Sequence, residues 1–468
     1  MIKLKNTKPL KMSYWQEQIV ASSPSKVLTG KETADVAIIG GGFVGLWTAI
    51  TIKYHEPDCE VVILEQDACG SGASGRNGGF VMSWWPKIGT IKTICSKDEA
   101  LFLGRAAERA IYELGEFCQE NNIDAHYVQK GWLWTATTQA HVDSWNGTLK
   151  ACESLGVKPF ERISGEELRR RTGSPKHLAG VYEASNATVQ PAALAEGMRR
   201  VALEKGVRIY EGSGVNAIHP GSPVVLETTH GAVNAAKVVL ATNAWSAEIP
   251  QLAKLITPVN SSVVVTQALG DKLDEMGWVG GESITDSQLM VDYYRTTRDG
   301  RIAFGKGTGA ISYGGVIDGV FSHDPSSIEM TRGDLLNTYP SLDGVEITNG
   351  WSGPIDRTFD SLPVFGRLND IENIFYGIGW SGNGVGPSRI GGRILASLAL
   401  DKEDEWSTSA LVNRSCKTFP PEPFRYVGGN LVRNAVIKKE RAEMQGKKPG
   451  FIEKVLASLA PAGLEDKT

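Results

Sequence analysis

Residues 36–39 form a short apolar run of strand length, glycines follow at once, and residues 46–54 carry apolar positions suited to a helix packed on a sheet. Residues 60–64 supply a second strand apolar enough to be buried, so the chain opens with a βαβ unit. The same texture returns later. Pro191 suits the first turn of a helix running to about Lys205, Gly206 ends it, and "VRIYEG" follows as a strand. "VVLETTHGAVNAAKVVLATNAW" reads as two strands joined at His230 and Gly231, the second apolar enough to lie inside a sheet. Residues 373–400 repeat strand, glycine loop and helix. Between these units residues 98–183 look largely helical, and residues 257–339 hold strand patterns such as "SSVVVTQ" and "GRIAFGKG".

The pattern therefore predicts an α/β nucleotide-binding domain built from residues 30–97, 184–250 and 345–415, interleaved with a mixed-sheet domain from 98–183 and 251–344. Residues 416–468 remain as a tail with one short helix, "FIEKVLASLA", whose apolar spacing points to docking or a subunit contact. Residues 438–448, charged and glycine-containing, read as a loose linker.

A length of 468 residues fits two intimately packed domains. Lys plus Arg number 49 against 53 Asp plus Glu, and the net charge of −4 gives no sign of nucleic acid or an anionic membrane as partner. No stretch approaches the roughly 20 apolar residues of a membrane helix, and "MIKLKNTKPLKMSYW" lacks the apolar core of a signal peptide. A cytoplasmic home is the expectation. The six cysteines form no CxxC pair, which argues against a zinc site or a disulfide framework. His126, His219 and His323 have no partners at ligand spacing, so no metal is expected.

Gly40-x-Gly42-x-x-Gly45 follows a strand and opens a helix, and Glu65 lies twenty residues past the last glycine at the end of the next strand. The first glycine makes the tight turn, the second lets backbone reach a pyrophosphate, the third lets helix pack on strand, and Glu65 can accept hydrogen bonds from a ribose. This is a dinucleotide fingerprint, shared by FAD and NAD. "GSGASGRNGGF" at residues 70–80 packs five glycines and two serines around Arg76 and Asn77, a loop suited to pressing backbone against a ligand with two directed donors. "GIGWSGNGVGPSRIGG" at 377–392 sets a second glycine loop before an apolar helix.

Together with "ATNAWS" at 241 and "WSGPIDRTFDSLPVFG" at 351, these motifs resemble the FAD-dependent amine oxidases of the D-amino-acid oxidase superfamily, over roughly residues 13–400. That group includes glycine, sarcosine and γ-glutamylputrescine oxidases. "GRNGG" and "FPPEPFRYVGGNLVR" are most similar to the branch of γ-glutamylputrescine oxidases and aminophosphonate oxidoreductases. The resemblance implies a Rossmann-like FAD domain of the glutathione-reductase type beside an α+β substrate domain. It implies that Gly40, Gly42, Phe43, Val44, Gly45, Glu65 and Gln66 hold the ADP half. Ser71, Ser74, Arg76, Asn77 and Gly78 would line the pyrophosphate and flavin. Val215, Ala241, Thr242, Asn243 and Trp245 would serve the adenine side, and Gly382, Asn383, Gly384 and Val385 the pyrimidine edge of the flavin. Three departures stand out. Ile355 occupies the position of the Arg that grips the carboxylate in glycine and D-amino-acid oxidases. Residues 351–360 lack the flavin-linking Cys of sarcosine oxidase, so FAD should be non-covalent. Asn383 replaces the relatives' His.

The resemblance also implies the chemistry: hydride passes from the carbon bearing a neutral amine to flavin N5, the imine hydrolyses to an aldehyde or keto product, and O2 or another acceptor reoxidises the flavin. Tyr293, Arg295 and Arg298 are placed near the flavin face, Arg357 and Arg389 lie in flavin-proximal motifs, and any of these arginines suits an anionic group on the substrate. Lys306 is a candidate for activating oxygen. Each basic residue has an ordinary alternative as a surface or capping group. Trp84 and Trp85 are candidates for an active-site wall or for core, and Cys69 for a reactive thiol. Other readings stay open: an oxidase of small or N-methylated amino acids, an NAD-linked dehydrogenase, or a flavin-binding partner protein without turnover of its own. The chain could be a monomer or a homo-oligomer.

Overall fold

The computed structural model describes residues 1–466 apart from 6, 22, 24, 25, 279 and 464, with residue 370 described by its backbone alone. The apolar run at 36–39 lies at the centre of a nine-stranded sheet among the described residues. Gly30–Ile39 pairs in parallel with Gly231–Leu240 on one side and Val61–Leu64 on the other, with Ala37 opposite both Val238 and Val62. Strands covered on both faces need continuous apolar stretches rather than alternation, and Val61–Leu64 is buried throughout. The helices Phe43–His55, Pro191–Glu204 and Ser388–Ala399 pack together over one face. A Cβ on Gly392 would fall 2.5 Å from Cβ of Trp47, so two of these helices cross at a glycine.

The second, eight-stranded sheet runs in the order Ile347–Arg357, Thr257–Thr266, Ile302–Lys306, Asp292–Thr296, Ser283–Thr285, Trp132–Ala136, Ala179–Glu183, Phe160–Ser164. Three expectations are corrected here. Residues 98–183 are not simply helical: beside the 24-residue helix Lys97–Glu120 they give the sheet three strands, one of them the wholly buried "WLWTA" at Trp132–Ala136, whose aromatic side chains favour a pleated surface. Ile347–Arg357, expected within the nucleotide domain, pairs along its length with Thr257–Thr266 of this second sheet. At the other terminus Ile2–Lys3 adds an antiparallel edge to the first sheet, outside the expected span.

The tail differs most. It contains a 21-residue helix, Phe424–Met444, as well as Phe451–Ala457. Residues 438–444 of the expected linker are the last turns of that helix, where Lys439 pairs with Glu443 four residues on. Buried Glu440 turns inward and accepts the backbone N–H groups of Leu289 (2.6 Å) and Met290 (3.0 Å). Among the described residues no helix is long and apolar enough to cross a membrane.

Glu440→Ala leaves two interior N–H donors without an acceptor, and each such loss costs about 1–3 kcal/mol. Chemical denaturation should show a stability loss of about 2–4 kcal/mol, with Glu440→Gln losing less because it keeps one acceptor oxygen. Equal stability of wild type and alanine variant would mean that the tail helix is not integral to the fold.

Candidate functional site

A cavity of about 300 Å³ runs between the two sheets. Its walls begin at the fingerprint. Gly40 has φ +110°, and a Cβ there would lie 2.5 Å from the carbonyl oxygen of Ala241; a Cβ on Gly45 would lie 2.0 Å from that of Gly40. Only hydrogen fits at either place, which keeps strand, turn and helix in close register. The Phe43 N–H at the start of the helix donates to Ser74 Oγ (2.9 Å), locking the 70–79 loop onto the helix end. Glu65 opens on the cavity while accepting Gly41 N–H (2.7 Å) and Asp67 N–H (3.0 Å). Burial pushes its pKa up to about 7, against the lowering effect of those two donors.

The loop itself works differently from expectation. Arg76 and Asn77 line the cavity, yet their polar groups face the protein. The Arg76 guanidinium donates from Nε and Nη2 to Ser352 O (3.0 and 2.7 Å), from Nη2 to Ser322 O (3.1 Å), and from Nη1 to Lys11 O (2.5 Å) and Gln16 Oε1 (3.3 Å). Asn77 Nδ2 donates to Ala73 O and Ser74 O, and its Oδ1 accepts Gly79 N–H. Ser71 Oγ donates to Ala68 O and accepts Ala68 N–H. These side chains shape the loop, and the surface left to a ligand is backbone.

At the far end Gly382, Asn383, Gly384 and Val385 line the cavity with Tyr293, Ile355 and Arg357. Asp356, buried and missed as a site residue, accepts Gly379 N–H (2.6 Å) and Trp380 N–H (3.1 Å), which fixes the glycine turn. Burial lifts its pKa to about 7. Its place inside the motif at 351 was the available signal. Asn383 Nδ2 donates to Ser83 O (3.0 Å). Among the described residues, Oδ1 of Asn383 and Oδ1 of Asn243, which also lines the cavity, are buried without a hydrogen-bond partner. Orphaned acceptors are costly unless a ligand or water supplies a donor. One lies in the glycine loop of the flavin-edge motif and the other in "ATNAWS", as an extended dinucleotide would require.

Every other expected cofactor residue lines the cavity, Gly42, Val44, Gln66, Gly78, Val215, Thr242 and Trp245 included; Gly45 does not, and serves packing alone. Sequence reasoning missed Leu4, Lys5, Thr7, Lys8, Pro9 and Leu10, which cover one end. Thr7 Oγ1 accepts Trp245 Nε1–H (2.8 Å), a long-range contact with no local pattern to announce it. Ser261, whose hydroxyl lies 2.7 Å from Tyr293 OH, was missed for the same reason.

Several candidates are displaced. Lys306 does not reach the cavity: Nζ donates to Met290 O (2.9 Å) and pairs with Asp292 (3.0 Å) and Asp334 (2.7 Å). Burial opposes its charge, but the two carboxylates outweigh it and raise its pKa. Arg295 is buried over the Trp15 ring and holds Gly78 O and Val189 O, a structural clamp behind the loop. Arg298 pairs with Asp124 at the surface, and Arg389 with Glu113 over Trp47. Trp84 and Trp85 belong to the core. Burial raises the Cys69 thiol well above its ordinary pKa, which disfavours the thiolate that a reactive cysteine needs.

The family model described as FAD dependent oxidoreductase (DAO) matches residues 35–398. Gamma-glutamylputrescine oxidoreductase of Escherichia coli K12 is 32% identical over 429 residues, covering 90% of this chain and 94% of the relative. Glycine oxidase of Geobacillus kaustophilus is 26% identical over 376 residues, covering 79% and 93%. The crystal structure of glycine oxidase from that organism superposes with a TM-score of 0.67 at 23% identity, over 80% of this chain and 96% of the other. That of L-proline dehydrogenase from P. horikoshii gives 0.66 at 21%, over 81% and 96%. Both share the fold.

Glu65 makes cofactor affinity depend on pH. In the apoprotein its raised pKa means that acid favours the neutral carboxyl, whereas ribose hydroxyls call for the carboxylate as acceptor. Affinity for FAD should therefore be full above pH 7 and weaken by up to about tenfold per unit below it. Fluorescence titration of the apoprotein checks this, and Glu65→Gln should flatten the profile; a wild-type affinity that ignores pH removes Glu65 from the ribose site.

Proposed function

Because the chain belongs to the DAO family of FAD-dependent oxidoreductases, we propose that it oxidises the C–N bond of a primary or secondary amine carrying an anionic group away from the reacting carbon. The observation behind this reading is Arg357. Residues two apart on a strand share a face, so Arg357 lines the cavity on the same face as Ile355, one step along from the position where glycine oxidases carry their carboxylate-gripping Arg. Its Nη1 donates to Ala462 O (2.6 Å) and Ser361 Oγ (3.1 Å), while Nη2 makes only a 3.5 Å contact with Ser381 O and Nε makes none among the described residues. The Nε–Nη2 edge, the edge that grips carboxylate or phosphonate bidentately, remains available. Arg76, the other arginine of the wall, has its donors on the protein. Burial lowers the Arg357 pKa to about 10, which keeps it cationic near neutrality.

FAD, when bound, supplies the two-electron acceptor for the oxidation. The chain's part is to bind, orient and exclude water. Loss of two electrons and two protons from the substrate leaves an imine, which water converts to a carbonyl product and a free amine or ammonia. No His or Cys lines the cavity among the described residues, which supports non-covalent FAD. Tyr293 is held by Ser261, and burial pushes its phenol up to about 12, so it orients substrate as a neutral group and takes no proton. Asp356 is occupied by backbone donors. The amine must then arrive neutral. The name of the E. coli relative suggests the substrate class, a glutamyl-capped diamine, and an aminophosphonate presents the same pairing of amine and remote anion.

An anaerobic screen for loss of flavin absorbance near about 450 nm should favour γ-glutamylputrescine or 3-aminopropylphosphonate over propylamine, with D-amino and N-methyl amino acids as comparators. Equal bleaching by propylamine would sink the anionic reading. Arg357→Met should raise KM for the preferred anionic amine about 10- to 100-fold, the worth of a charged bidentate bond of about 1.5–3 kcal/mol. In addition, kcat/KM should rise with pH along the substrate's own amine ionisation, so two substrates of different amine pKa should give shifted profiles; a midpoint common to both would instead reveal a base on the protein.

A further inference from the structure

The geometry points to Ala462 and Asp466, four residues apart in the C-terminal segment, as the residues that set Arg357 for anion binding, which makes them specificity determinants for the reaction. This rests on the reading of Arg357 given above. The segment lies outside the family match at 35–398, and its composition as part of a tail suggests no such role. In the structure Ala462 sits against Arg357 and Ser361 of the cavity wall. Ala462 N–H donates to Phe359 O (2.9 Å), and Ala462 O accepts both Arg357 Nη1 (2.6 Å) and Ser361 Oγ (2.7 Å). Ser361 holds this bridge with φ +60°, a left-handed conformation that costs a serine about 1 kcal/mol or more and persists where surrounding contacts demand it.

Four residues on, Asp466 is latched. Its carboxylate accepts Thr90 N–H (2.9 Å) and the Thr90 hydroxyl and pairs with buried Lys87 (3.1 Å), its carbonyl accepts Thr148 Oγ1–H (2.9 Å), and its N–H donates to Pro86 O (2.7 Å). None of these groups touches the cavity. They fix Asp466, and the Ala462 carbonyl four residues before it takes the Nη1 side of Arg357. A guanidinium fixed on one side presents its opposite edge in one orientation, and such preorganisation adds affinity by removing the ordering cost. A merely solvated arginine at the same place would grip an anion less selectively.

Wild type, Arg357→Met, Asp466→Ala and Ser361→Ala holoenzymes are titrated with glutarate and with its neutral counterpart glutaramide, binding being read from the absorbance change of the bound flavin. Wild type should prefer glutarate, Arg357→Met should erase the preference, and Asp466→Ala and Ser361→Ala should each weaken glutarate about tenfold with glutaramide binding and flavin content unchanged. A preference that Arg357→Met erases but both other variants keep overturns the role of the tail and leaves the anion reading standing. No preference in wild type overturns that reading and this inference with it. Parallel loss of glutaramide binding or flavin marks a structural role only and also overturns the inference. If Asp466→Ala fails to fold, Ser361→Ala carries the same test without touching the latch.

Discussion

A buried guanidinium joins the parts of this molecule that surround the cavity. Arg76 follows the dinucleotide fingerprint, and its donors hold carbonyl oxygens of Lys11 in the N-terminal segment, Ser322 in the loop before Pro325–Thr338, and Ser352 in the edge strand of the second sheet. A cation as deeply buried as Arg76 is costly unless its donors are paired, and here they are. The pairing in turn fixes the distance between the fingerprint and the second sheet. The small residues around Arg76 then follow from geometry: Gly75, Gly78 and Gly79 each face another atom within 3 Å of where a Cβ would sit.

The same accounting of donors separates structural from functional basic residues. Arg295 and Lys306 lie in the stretch expected from the sequence to face the flavin, and both are taken up by carbonyls or carboxylates behind the cavity wall. Arg357 alone of the three lines the cavity, with Nε free of a hydrogen bond among the described residues and Nη2 making only the long contact with Ser381 O. Residue type and motif position do not distinguish these cases. Which hydrogen-bonding groups are already taken does.

That distinction accounts for what was legible in the sequence. The fingerprint, Glu65 and the second glycine loop could be read because their constraints are local: a glycine triplet between strand and helix, with an acid closing the next strand, suits little besides a dinucleotide. The parallel sheet could be read because buried strands are continuously apolar. The parts that were misread depend on contacts between distant segments. Residues 438–444 look like linker because the acceptor role of Glu440 exists only once Leu289 and Met290 are beside it. Ile347–Arg357 carries a motif of the flavin site and yet pairs in the other sheet, so a motif's ligand does not reveal its domain. The cover provided by residues 4, 5 and 7–10 gives no pattern at all, since a segment that lines a cavity outside any regular element needs neither helical nor strand periodicity.

With Asp356 taken up by backbone donors and Tyr293 held neutral, the far end of the cavity also bears on where selectivity resides. Oxidation of the carbon next to nitrogen removes negative charge from the substrate, so a fixed cation beside that carbon would oppose the reaction and a carboxylate there would hold the amine in its unreactive protonated form. The wall accordingly offers Tyr293 with its high pKa, Ile355 and glycine backbone near the reacting end. Such a surface discriminates little between one neutral amine and another, because an apolar contact is worth only about 1–3 kcal/mol per methylene. Strong recognition must come from a charge far enough from the reacting carbon not to disturb it. On the reading proposed above, Arg357, one strand step beyond Ile355, satisfies both demands, and the distance between amine and anion in the substrate becomes the quantity this site measures.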